Sequence, residues 1–176
     1  MTLAQEEEKL NNLIGADLQV DITERVKNFT LLWNIYETFA CNRSANSTAI
    51  SNNVDCIENA KNIDIRKIEI FKLYFLSRYF NKDKAPNNRF LDLVKNDSRI
   101  AELIVNELPK NIIDKNTLKA LLFIVYRYRN NLFHGNKNVV TLDSQIDNFT
   151  YANELLITVL EMMSDRGLLL HPIKQP

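Results

Sequence analysis

Hydrophobic residues recur at spacings of three and four along most of the chain, the spacing that places side chains on one face of an α-helix. Three segments show the pattern clearly: one from Thr23 to about Ala40, one from Ile63 to Phe80 and one from about Asp143 to Met163. The apolar stripes are Val26, Phe29, Leu32, Trp33, Tyr36 and Phe39 or Ala40, then Ile65, Ile68, Phe71, Phe75, Leu76 and Tyr79, then Ile146, Phe149, Leu156, Val159, Leu160 and Met163. We predict a long core helix for each segment.

A fourth long helix is predicted through TLKALLFIVYRYRNN towards His134. Asp114 or Asn116 can cap its start, and Gly135 stands where the end of a helix commonly requires a left-handed residue. Its middle part, ALLFIVY, is apolar on every side, which is typical of a helix that neighbours surround completely. This segment therefore predicts the central helix of the fold.

Shorter helices complete the pattern. Leu3 to Ile14 reads as a peripheral acidic helix that ends at Gly15, because its apolar positions are sparse. Two further short helices are predicted at 89–95 and 98–108, the second closed by Pro109. The expected fold is one all-α domain over 1–176, a bundle of four principal helices with short additional ones.

Two segments are predicted to lie outside the helices. The polar stretch at about 42–62 is rich in Asn and Ser, which compete with helical hydrogen bonds, so we expect a long loop with one helical turn near Cys56. This loop is expected either to be a solvated insertion or to shape a binding entrance. The residues from about 166–176, including His171, are expected to form a flexible tail.

The composition supports an all-helical protein and narrows its function. Only three glycines and four prolines occur in 176 residues, too few for the turns of an all-β fold. The 22 basic and 22 acidic residues give no net charge, which excludes a broad basic surface for nucleic acid but not a local one.

No membrane span, leader or zinc-binding spacing is present, so we expect a cytoplasmic protein without metal or cofactor. Cys41 and Cys56 are expected to be free thiols, with a disulfide as the alternative.

Arg129 interrupts the apolar pattern of the fourth helix. On a regular helix it falls in one stripe with Leu118, Leu122, Val125 and Leu132, at a position that an apolar side chain should occupy. An unpaired guanidinium is costly to bury, so Arg129 should pair with a carboxylate or line a cleft. Arg129 and His134 are about 140° apart on an ideal helix. They can act on one ligand only if the helix ends before His134 or if a second copy of the chain completes the site.

The string YRYRNNLFHGNK resembles the RX4-6H motif of HEPN domains, a helical family of metal-independent ribonucleases, and RNNLFHG is similar to its Apea-like branch. The resemblance implies that His134 is the catalytic acid or base, that Arg129 holds the scissile phosphate and that Asn130 supports the site. It also implies a homodimer that cleaves RNA through its 2′-hydroxyl, acting as a toxin or defence effector beside an antitoxin or regulatory protein. Arg127 and Asn131 lie outside the catalytic set and are assigned to RNA binding, with a solvated surface arginine as the alternative for Arg127.

Three other interpretations stay open. Arg129 can be a core arginine and His134 a helix cap, without chemistry. The domain can be a non-catalytic HEPN-like module for dimerisation, regulation or RNA binding, in which the same residues form a polar interface. The aromatic face of Trp33, Tyr36 and Phe39 can hold a small ligand, although core packing explains these residues better.

Overall fold

Eight helices, and no strand, make up the regular structure of the part of the chain that the computed structural model describes, which is 1–60, 63–95, 97–133, 142 and 144–170. The all-α prediction is therefore confirmed. The helices are α1 (Leu3–Ile14), α2 (Val20–Phe39), α3 (Ser47–Ala60), α4 (Ile65–Tyr79), α5 (Asn88–Leu93), α6 (Ser98–Glu107), α7 (Lys115–Phe133) and α8 (Ile146–Ser164).

Side-chain caps explain where several helices begin. Asp64, Asn87 and Asp97 each accept a hydrogen bond from a backbone N–H in the first turn of α4, α5 and α6. Asp114 does the same for α7, taking the N–H groups of Asn116 and Thr117 at 2.9 and 3.0 Å. Of the two caps that the sequence offered for α7, the structure uses Asp114. Gly15 ends α1 with a φ of 65°, as predicted, because a left-handed residue at this position favours glycine.

The prediction of a long loop at about 42–62 is wrong, because most of this segment is helix α3. Ile50, Val54 and Ile57 recur at helical spacing and are fully buried in the core. α3 packs along α7, and Asp55 receives hydrogen bonds from Lys115 and Lys119 at 3.0 Å. The low helix propensity of its Asn and Ser residues is overcome by the burial of these three apolar side chains.

The prediction of a flexible tail is also wrong for residues 166–170. Gly167 has a φ of 64° and turns the chain after α8. Leu168 and Leu169 then pack against the core, and the N–H of Leu170 donates to the carbonyl of Phe39 at 2.9 Å. This segment is part of the folded structure because its leucines bury apolar surface. His171 and the rest of the expected tail lie outside the described residues.

One hydrophobic core runs through all seven helices from α2 to α8, since each of them contributes buried side chains. α7 lies at its centre, as predicted: all residues from 120 to 125 are buried. α8 packs on α2, with the rings of Phe29 and Phe149 5.3 Å apart. Trp33 and Tyr36 are buried in this core, in agreement with packing rather than ligand binding. α1 buries no residue and is peripheral, and none of the described helices is long and apolar enough to cross a membrane.

The two cysteines are separate free thiols in the structure, as expected. Cys41 is buried and accepts a hydrogen bond from the Asn53 amide at 3.2 Å, whereas Cys56 is exposed on α3. Burial raises the pKa of the Cys41 thiol to about 11, so this sulfur stays protonated at neutral pH. Cys41 is therefore a core residue and not a reactive nucleophile.

Two tyrosines join α4 to α7 inside the core. The hydroxyl oxygens of Tyr79 and Tyr128 are 2.5 Å apart, and both side chains are buried. Burial raises the pKa of each phenol above its usual range, because the ionised form loses its hydration. The folded protein therefore holds these two protons more tightly than the unfolded chain does.

This difference predicts a loss of stability in alkaline solution. The contribution of the pair is fully present below the unfolded tyrosine pKa of about 10 and is lost as pH rises above it towards the folded values. We expect the free energy of unfolding, measured with urea on both sides of that pH, to fall on the alkaline side. A Tyr79→Phe/Tyr128→Phe variant, which replaces both partners by rings of the same shape, should lose less stability over the same range. Equal losses in the two proteins would contradict the prediction.

Candidate functional site

The polar residues that end α7 point to opposite sides of the helix. Arg127 and Asn131 are four positions apart and share one face, whereas Arg129 is rotated by about 200° from Arg127. α7 is described up to Phe133, and His134 lies outside the described residues. The predicted site residues thus separate into an inner pair, Arg127 and Asn131, and an outer pair, Arg129 and Asn130.

Arg127 is buried, with only 8% of its surface exposed, so its interpretation as a solvated surface arginine is wrong. Its guanidinium donates from Nε to the carbonyl of Leu93 at 3.2 Å and from Nη2 to the carbonyl of Lys95 at 3.0 Å. Nη1 lies 3.4 Å from a carboxylate oxygen of Asp97. Leu93 is the last residue of α5 and Lys95 comes two residues later, so both carbonyls lie at a helix end where a cation is favourable. Arg127 therefore ties α7 to the junction between α5 and α6.

Asn131 belongs to the same internal contact. It is 5% exposed, its amide nitrogen donates to the carbonyl of Leu93 at 3.0 Å, and its amide oxygen accepts from Arg127 at 3.3 Å. The polar atoms of both residues that the sequence assigned to RNA binding are thus engaged by the protein itself. Their observed contribution is to hold the end of α7 in place.

Arg129 is half-buried, which agrees with its position on the apolar stripe. Its Nη1 donates to the amide oxygen of Asn130 at 3.3 Å, and its Cζ lies 5.4 Å from the centre of the Phe133 ring. Within the described ranges, Arg129 forms no ion pair with a carboxylate. The sequence led us to expect that Arg129 either pairs with a carboxylate or lines a cleft. The described residues supply no carboxylate partner.

Asn130 is also half-buried, and its amide oxygen orients the neighbouring guanidinium. The role of Asn130 as a residue that supports the site stays a prediction. A guanidinium held by a neutral amide keeps its full positive charge and leaves other N–H groups able to meet an anion. The outer pair can therefore bind a phosphate oxygen.

A polar cluster on α4 and α8 lies at the same end of the bundle, where the Tyr128 ring of α7 contacts Phe149 of α8 at 6.2 Å. The Tyr74 hydroxyl donates to the amide oxygen of Asn148 at 2.7 Å, and the Tyr74 ring stacks on Tyr151. Burial raises the pKa of Tyr74 to about 12, and the nearby Arg78 guanidinium opposes this rise. The cluster is not visible in the sequence, because its residues come from separate helices and share no local spacing.

The residues that the structure describes contain no candidate metal site. Among them, no three His, Cys, Asp or Glu side chains lie close enough together to hold an ion. Neither histidine, His134 or His171, is in the described ranges. A site without metal or cofactor stays a prediction from the sequence.

Comparison with protein-family models, with curated proteins and with solved structures finds no match to this chain.

Proposed function

We propose that the protein is a metal-independent endoribonuclease that cleaves RNA through attack of a 2′-hydroxyl on the adjacent phosphate. The observation that carries this proposal is Arg129, a half-buried guanidinium that has an amide and an aromatic ring as its partners and no carboxylate within the described ranges. A positive charge left in this state at the end of a core helix suits an anionic ligand. The resemblance of RNNLFHG to the HEPN motif supplies the type of ligand, a phosphodiester.

The proposed reaction divides its steps between two side chains. The Arg129 guanidinium binds the phosphate oxygens and stabilises the negative charge that develops on them. The 2′-oxygen forms a bond to phosphorus and gives up its proton, while the bond from phosphorus to the 5′-oxygen breaks and that oxygen takes up a proton. His134 transfers one of these protons as general base or acid, since imidazole titrates near neutral pH. The products are a 2′,3′-cyclic phosphate and a 5′-hydroxyl end.

The proposal extends to a homodimer and to a role as a toxin or defence effector controlled by an antitoxin or regulatory protein. A chain with no net charge has no large basic field to hold RNA. Two copies of Arg129 and His134, brought together in a dimer, would double the local positive charge. A dimer would also allow the two residues that act on one phosphate to come from different chains.

The test is cleavage of unmodified RNA by the purified chain in the presence of EDTA. We expect cleavage to persist without divalent ions and every new 3′ end to carry a cyclic phosphate, identified by mass spectrometry. RNA with a 2′-O-methyl group at each position should stay intact, because it lacks the nucleophile. If unmodified RNA also stays intact, the ribonuclease proposal is wrong and a non-catalytic module becomes the better interpretation.

A further inference from the structure

The end of α7 carries an exposed aromatic side chain that the proposed reaction does not use. Phe133 is 52% exposed and is the one exposed large apolar residue of this helix. Every other large apolar side chain of α7 is buried or half-buried. An isolated exposed phenylalanine needs no explanation by itself. What makes Phe133 informative is its neighbour, because the Arg129 guanidinium lies against the ring at 5.4 Å.

Arg129 and Phe133 occupy one face of α7 because they are four residues apart. Tyr126, three residues before Arg129, continues the same face, and its half-buried ring contacts Trp33 of α2 at 6.0 Å. The face therefore presents an aromatic ring, a cation and a second aromatic ring in succession. We call Tyr126, Arg129 and Phe133 the aromatic face of α7.

The aromatic face is held in a fixed orientation from the other side of the helix. Arg127 and Asn131 both donate to the carbonyl of Leu93, at 3.2 and 3.0 Å, and these bonds tie the opposite side of α7 to the end of α5. The positions of Arg129 and Phe133 are therefore set before any ligand arrives. A preorganised surface loses less conformational entropy on binding than a mobile one does.

We propose that the aromatic face of α7 selects single-stranded RNA, with a base stacked on the exposed part of the Phe133 ring and the adjoining phosphate paired with Arg129. Aromatic rings and arginine planes are the groups on which unpaired bases stack, and each stacked base contributes substantially to affinity. In an A-form duplex the bases are already stacked on each other, so a duplex cannot use the ring. The inference rests on the proposed function, since it names the substrate class of that same site.

Charge decides between RNA and other occupants of this face. In the described part of the chain no carboxylate lies within ion-pair distance of the cation beside the ring, so the described residues leave its positive charge uncompensated. In the proposed homodimer the two copies of Arg129 would lie near each other, and because like charges oppose each other, an anion between the copies is favoured over direct contact of the two faces. A polyanion with flat bases complements both features of the face.

The experiment measures binding of a short fluorescent 2′-O-methyl oligoribonucleotide, which cannot be cleaved, by fluorescence anisotropy. The same strand annealed to its complement provides the duplex. We expect the wild-type protein to bind the single strand more tightly than the duplex. Phe133→Ala should weaken single-strand binding about tenfold and leave duplex binding unchanged.

Three variants make the result specific to stacking. Phe133→Tyr keeps the ring and should bind like the wild type. Phe133→Leu keeps apolar surface without the ring and should bind like Phe133→Ala. Leu73→Ala removes another exposed apolar side chain, on α4, and should change nothing. Since Phe133 is exposed, all variants should retain the helical circular dichroism of the wild type.

The inference is overturned if Phe133→Ala binds the single strand as tightly as the wild type, if strand and duplex bind equally, or if the substitution changes the oligomeric state instead. The proposed function fails separately. A protein that binds the single strand through Phe133 but leaves unmodified RNA intact would disprove the ribonuclease and keep the binding face. A ribonuclease whose binding ignores Phe133 would do the reverse, and a chain that neither binds nor cleaves RNA would disprove both.

Discussion

Arg129→Ala is expected to lower the rate of RNA cleavage by about a hundredfold to a thousandfold and to leave the unfolding temperature nearly unchanged. The rate should fall because a preorganised positive charge near the developing phosphate charge is lost. The stability should persist because the described partners of Arg129 are one amide oxygen and one exposed ring, contacts that contribute little at a half-exposed position. Cleavage assays in EDTA and thermal unfolding followed by circular dichroism measure the two effects.

Two companion variants test the planar fork of Arg129 and the proton transfer by His134. Arg129→Lys keeps the charge but loses the planar fork, so it should recover only part of the activity. His134→Ala should lower the rate by about a hundredfold to ten-thousandfold, the usual contribution of a general acid or base. Wild-type cleavage by either alanine variant would disprove the assigned role of that residue. A loss of cleavage by Arg129→Ala together with a lower unfolding temperature would instead make Arg129 a structural residue.

Arg127→Ala is expected to have the opposite profile, a large loss of stability. The substitution removes the buried donor of the Lys95 carbonyl and of the Asp97 carboxylate, and it leaves the Leu93 carbonyl with the Asn131 amide as its donor. Removing one partner from a buried charged network costs about 3 kcal/mol in the free energy of unfolding, or about 6 to 12 °C in the unfolding temperature of a protein of this size. Urea and thermal unfolding would measure this loss.

Arg129→Ala is the matched control for Arg127→Ala, because it removes the same type of side chain two residues away on the other side of the helix. RNA affinity provides a second readout. If Arg127→Ala unfolds at the wild-type temperature but binds RNA more weakly, Arg127 contacts RNA as the sequence first suggested. The internal contacts of its guanidinium predict a stability loss instead.

Apolar periodicity was sufficient to predict six of the eight helices of the described chain, because each of them buries a stripe of side chains that a short stretch of sequence contains. α1, which buries no residue, was predicted as a peripheral acidic helix that ends at Gly15. α3 was missed for an identifiable reason. Its Asn and Ser residues favour turns locally, and three buried apolar residues outweigh that preference only once α7 and the rest of the core are in place. The same holds for Leu168 and Leu169, which a short sequence does not mark as core residues.

The candidate site shows the same division. The unusual position of Arg129 is visible in the sequence because it breaks the pattern of its own helix. Whether Arg127 or Arg129 would be buried could not be decided in this way, since the Leu93, Lys95 and Asp97 acceptors of Arg127 lie 30 to 34 residues earlier in the chain. Asn131, assigned to RNA by position, has its acceptor 38 residues away. Contacts between such distant residues leave no local spacing to recognise.

The sequence by itself determined the helical class, the central helix and the exceptional place of Arg129, because all three follow from the periodic placement of apolar side chains along one helix. Only the tertiary structure decided that the two arginines of the YRYR segment have different environments, one engaged inside the bundle and one beside an exposed ring. The physical reason is that a guanidinium is stabilised by whichever acceptors surround it. Those acceptors are assembled from separate helices when the chain folds.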